Sequence, residues 1–129
     1  MSKKRAYISF DFDHDSELKT LLVGQAKNPN SPFEIVDMSI KEVISDNWRA
    51  SARRRIKMCD VLIAICGQHT DTASGVSAEL RIAQEEGIPY FLLEGRSGVR
   101  NVKPLAARDS DKIYTWSWDN LQLLIEGRR

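Results

Sequence analysis

Histidine and cysteine are scarce in this chain, two of each among 129 residues, and that scarcity removes most metalloprotein readings. Cys59 and Cys66 form neither a CxxC pair nor a zinc pattern, and His14 and His69 lack ligand-like spacing. Two reduced, buried, structural thiols and no metal site are therefore expected. An excess of charge of either sign is also missing. Nineteen Lys and Arg face eighteen Asp and Glu, leaving a formal net charge of +1, and general phosphate binding needs a concentrated basic surplus that this balance lacks. No long apolar run is present, so no membrane span is expected. The basic start, Met1 to Arg5, is followed by acidic residues rather than the apolar core of a signal peptide, which makes the cytoplasm the expected location.

What is present fits one soluble globular domain over residues 1–129, with 42% apolar residues. The apolar pattern alternates strand with helix throughout. Ala6 to Phe10 reads as a first strand, and Ser16 to Ala26 as a helix with Leu18, Leu21, Leu22 and Gln25 in period. After the turn-rich Asn28 to Pro32 come a strand at Phe33 to Val36, a loop from Asp37 to Asp46, and a helix from Asn47 to Met58. Later elements are strands at Tyr90 to Leu93 and Ile113 to Thr115 and a terminal helix from Trp118 to Ile125. Between the last two strands, Gly95 to Ser110 is expected to lack long regular structure, because Gly95, Gly98 and Pro104 interrupt any period.

Such alternation predicts an α/β fold: a central five-stranded parallel sheet in the flavodoxin-like order 2-1-3-4-5, with helices on both faces in a three-layer sandwich. In that order the switch point falls between strands one and three. Their carboxyl ends would then share a crevice holding Phe10 to His14 on one side and Gly67 to Glu79 on the other.

The stretch from Asp60 to Leu93 carries the most information about function. Val61 to Cys66 is an unbroken apolar run, the mark of a strand covered on both faces. Gly67 to Ala73 is polar, and Asp71 or Ser74 can cap the helix that follows. Val76, Leu80 and Ala83 recur at helical spacing, and Gly87 ends the helix just before Pro89. Glu79 sits near Val76, Ile82 and Ala83 on that helix, which places it away from the fully solvated face.

Two charged clusters have plainer readings. Arg49, Arg53, Arg54, Arg55 and Lys57 lie opposite Trp48, Ala52 and Ile56 on one helix and read as a solvated face. Asp11, Asp13 and Asp15 follow the first strand, where carboxylates can hold magnesium in phosphatases and receiver domains. The receiver pattern fails here, because Gly67 stands where the third strand would end in Asp. Loop formation is expected instead, with Asp15 or Ser16 as helix cap.

Tyr7-Ile8-Ser9-Phe10 with Asp13 and Asp15 close behind, the Trp48 helix, the strand Asp60 to Gly67, and Ser74-Gly-Val-Ser-Ala-Glu79 ahead of Gly87-Ile-Pro together resemble the Toll/interleukin-1 receptor (TIR) family. The likeness is to the small prokaryotic TIR-like proteins, a group that includes the signalling subunit of Thoeris anti-phage systems. It spans nearly the whole chain.

That resemblance implies an NAD-cleaving or NAD-cyclising enzyme, with NAD as substrate rather than cofactor. Glu79 matches the required Glu of catalytic TIR domains, while Phe10 and Trp48 match aromatic residues that help hold nicotinamide and ribose. Ser9, Asp11, Gly67, His69 and Ser74, flanking the same crevice, complete the expected substrate-binding set. The resemblance also implies homo-oligomeric TIR–TIR assembly and a separate effector protein that senses the product. Two alternatives share the pattern. A nucleoside 2-deoxyribosyltransferase-like enzyme also carries a Gly-containing loop before a helix Glu and then Gly-x-Pro, and a non-catalytic TIR adaptor would act by assembly alone.

Overall fold

The computed structural model describes residues 4–11, 14–35 and 48–127, with the side chains of Trp48 and Arg49 outside that description. Its elements run β1 (Lys4–Ser9), α1 (Ser16–Ala26), β2 (Phe33–Ile35), α2 (Trp48–Lys57), β3 (Val61–Cys66), α3 (Ser74–Glu86), β4 (Tyr90–Glu94), β5 (Ile113–Tyr114) and α4 (Trp118–Ile125). The strands form one parallel sheet in the order β2-β1-β3-β4-β5, as the alternation predicts. Val36, the loop from Asp37 to Asp46 and the expected first residue of the second helix, Asn47, lie outside the described residues.

Strand periodicity divides the core into two layers. Ala6, Ile8 and Phe10 share one face with Val61, Ile63, Ile65, Phe91 and Leu93, and pack on Leu18 and Leu22 of α1 and on Leu121, Leu124 and Ile125 of α4. Tyr7, Leu62, Ala64, Cys66 and Leu92 take the opposite face, against Ala52 and Ile56 of α2 and Leu80, Ile82 and Ala83 of α3. β3 is buried at all six positions, which explains why its sequence shows no alternation. Both cysteines are buried and unpaired. Burial pushes the Cys59 thiol up to about 11 and the Cys66 thiol up to about 12, so both stay protonated and inert at neutral pH.

The Gly87 stop of α3 is as expected, whereas the starts of α1 and α3 differ from the capping expected of them. Gly87 ends α3 in the left-handed region, φ 70°, where Cβ would be strained. At the start of α3, Ala73 takes the cap position and neither Asp71 nor Ser74 caps it, because a 3-10 turn at Thr70–Thr72 precedes the helix. That turn is held by the Thr72 hydroxyl donating to the His69 carbonyl at 2.9 Å and by the Gly67 amide donating to Thr70 Oγ1 at 2.7 Å. Asp15 occupies the cap position of α1 but makes no side-chain capping bond; its carboxylate turns instead to Arg96. On α2, Arg53 pairs with Glu85 and Glu86 of α3. That part of the basic face therefore ties two helices together. As expected, the segment from Gly95 to Ser110 contains no helix or strand.

Candidate functional site

Glu79 lies in the second turn of α3 on the side that meets the sheet, between buried Val76, Leu80 and Ala83. β1 presents Tyr7 and Ser9 to it, two residues apart and therefore on one face of the strand. Ser9 Oγ donates to Glu79 Oε1 at 2.7 Å, and the Tyr7 hydroxyl donates to Oε2. Only 9% of Glu79 is exposed. Burial lifts its carboxyl to about 7, against the two hydroxyl bonds, which favour the charged form and pull the other way. The same surroundings hold the Tyr7 phenol well above its usual range, through burial first and the neighbouring Glu79 charge next. Tyr7 is thus a fixed donor, and Glu79 is the group of the pair that titrates near neutrality.

This displacement makes folding stability depend on pH. A carboxyl that titrates near 7 when folded and near 4.5 when unfolded binds its proton more tightly in the native state. Its stabilising contribution is complete below about pH 4.5 and is lost as pH rises through about 7, a swing on the order of 3 kcal/mol. Urea midpoints at pH 5 and pH 8 should show wild-type stability falling with pH and Glu79→Gln falling much less. Equal slopes in the two proteins would show that Glu79 does not carry the dependence.

The loops beyond β1 and β3 meet at the carboxyl edge of the sheet. The rings of His14 and His69 stack with centroids 4.1 Å apart and planes 28° from parallel. Asp11, itself buried, places Oδ2 2.7 Å from His14 Nδ1. Below them, Asp15 is completely buried and its Oδ1 lies 2.6 Å from Arg96 Nη1. Arg96 also donates to the His14 carbonyl at 3.1 Å and pairs with Glu17. The other Asp15 oxygen, Oδ2, has no hydrogen-bond partner among the described residues. It faces Gly67, where a Cβ would sit 2.4 Å from it, so the missing side chain of Gly67 is what admits the carboxylate.

The structure thus brings together Glu79 and Ser9 directly, and Asp11 and His69 through His14. Gly67 begins the loop above Asp15, and Ser74 is exposed at the first residue of α3. Phe10 is separated from Glu79: it is 6% exposed and packs in the layer under α1 and α4, on the other face of the sheet. The Trp48 side chain lies outside the described residues. Sequence reasoning did not single out Tyr7, although its two-residue offset from Ser9 was a usable signal. It also missed Arg96, which meets Asp15 across 81 positions of chain with no local mark. Among the described residues no cluster of His, Cys, Asp and Glu could hold a metal ion, and no helix is long and apolar enough to cross a membrane.

No protein-family model matches this sequence, and no curated protein does. Among solved structures, the chain is similar to one described as the crystal structure of a prokaryotic SEFIR domain, at 16% identity and a TM-score of 0.51, over 97% of this chain and 89% of that one. A likeness at that identity is one of fold. With the strand order and the helices on both faces, it establishes a TIR-like, flavodoxin-like α/β architecture for this chain.

Proposed function

We propose that this TIR-like domain cleaves the bond between nicotinamide and ribose in NAD, with Glu79 as the carboxylate that stabilises the reacting ribose. The observation that carries this reading is a buried carboxyl titrating near 7 beside the β1/β3 switch point, where open α/β sheets bind ligands. Nicotinamide in NAD is already a cationic leaving group, so breaking its bond needs little acid help and mainly needs stabilisation of an oxocarbenium-like sugar. In its ionised form Glu79 would lie beside that developing charge. A ribose hydroxyl can replace the Ser9 hydroxyl on Oε1 while Tyr7 keeps Oε2 in place. Collapse of the cation onto water gives ADP-ribose, and collapse onto an adenine nitrogen gives a cyclic product. In this reading the product is a nucleotide signal in anti-phage defence, sensed by a separate effector, and the domain assembles with copies of itself.

The deciding measurement is nicotinamide release from NAD by purified protein, dilute and concentrated, with exchange between free deoxynucleosides and bases run in parallel. Release establishes the NAD reading. Base exchange without release would replace it with a deoxyribosyltransferase.

One observation favours a second reading. Both Glu79 oxygens already hold hydroxyls of β1, so the residue pins α3 to the sheet whether or not it meets a substrate. A domain that only assembles would need no more of Glu79 than this. It would release no nicotinamide at any protein concentration.

A further inference from the structure

A cavity of about 350 Å³ opens on the α1 side of the sheet, beyond the carboxyl ends of β4 and β5. Leu21 and Gln25 of α1 form one wall, and Trp116, just after β5, forms another. Leu21 is 61% exposed, although its helix buries Leu18 and Leu22 instead. Trp116 is fixed in place, because its Nε1 donates to Gln25 Oε1 at 2.8 Å. Indole nitrogen is a donor only, so the bond settles the amide orientation and turns Gln25 Nε2, with two N–H groups, away from the indole nitrogen. Ser97 and Thr115 add hydroxyls to the lining, and neither these nor Gln25 Nε2 hydrogen-bonds to any described residue.

We infer that this cavity is a binding site for a neutral planar nitrogen heterocycle of nucleobase size, taken as the base or the nucleoside. A rigid indole and a leucine supply flat apolar contact for a ring, at little entropic cost. The amide and hydroxyls match the mixed donors and acceptors on the edge of a base. The volume suits a base with its sugar. No Lys, Arg or His is among the described lining residues, and the charged one, Glu94, is acidic; phosphate therefore gains nothing here. The site is independent of the NAD reading, since Glu79 lies on the opposite face of the sheet.

The test is a titration of ¹⁵N-labelled protein with adenosine, cytidine and ATP, following the Trp116 indole and Gln25 side-chain amide resonances, the amide alone in the Trp116 variant. The expected result is a saturable shift with one of the nucleosides, at a dissociation constant below about 1 mM, with ATP binding no tighter than adenosine. Trp116→Leu should weaken binding at least about tenfold, and Leu21→Lys, at an exposed position, should do the same if the first variant does not fold. Absence of a saturable shift with both nucleosides would overturn the inference. So would much tighter binding of ATP, unchanged affinity in Leu21→Lys, or an indole shift that tracks protein dilution alone, which would mark the occupant as a second copy of this chain.

Discussion

Glu79→Gln should fold like the wild type and release nicotinamide from NAD at least about a hundredfold more slowly, a loss of roughly 3 kcal/mol in transition-state stabilisation. The fold survives because the volumes match and because the Tyr7 and Ser9 hydroxyls can each accept as well as donate, so the new amide finds partners where the carboxylate had them. What disappears is the negative charge. Wild-type activity should also rise with pH through about 7 as the carboxyl ionises, while its stability declines over the same interval. Opposite trends of activity and stability, both abolished by one amide, would be hard to obtain from a residue with a packing role only. Equal rates for wild type and variant would remove Glu79 from the chemistry.

Arg96→Met should cost about 3 kcal/mol, seen as a fall of about 10 °C in melting temperature. Asp15 is fully buried, and Arg96 holds the one carboxylate oxygen that has a partner among the described residues. Removing the guanidinium strands that carboxylate in the protein interior beneath Gly67. Methionine keeps much of the stem's apolar volume, so lost packing contributes little. Asp15→Asn in the same background should recover a large part of the loss by removing the stranded charge, and the double-mutant cycle isolates the coupling. A single variant melting within about 2 °C of wild type would show that the pair carries no such weight. Glu17, exposed at the rim of the same arginine, should contribute far less.

The sheet was legible in the sequence because burial writes strand type directly. Six consecutive apolar residues at β3 are what a doubly covered parallel strand requires, and the turn-rich breaks separate the other elements. Glu79 was legible as an inward residue for the same reason, from its neighbours at helical spacing. Its partners were not, because a helix pattern does not say which strand residue lies opposite. Phe10 was read into the crevice from its place at the carboxyl end of the first strand, yet adjacent strand residues point to opposite faces, and its ring packs on the face away from Glu79. Asp15 was read as a cap from local propensity. A contact with Arg96 across the molecule overrode that preference, as long-range pairing of a buried charge will.

The placement of Tyr7 and Ser9 also bears on how the chain finds its register. β1 is an interior strand, pairing Ala6 with Val61 and Ser9 with Ala64, and the residues flanking Tyr7 and Ser9 in sequence are Ala6, Ile8 and Phe10. Sliding β1 by one residue would turn those apolar side chains toward Glu79 and both hydroxyls toward the opposite core. An apolar substitution in a core is often forgiving, but a carboxyl left facing alanine and isoleucine in a dry interface is not. A misregistered chain would therefore carry two mismatches at once, a stranded acid on one face and two orphaned hydroxyls on the other. The polar triad thus penalises the slipped register, and that penalty does not depend on any chemistry at Glu79.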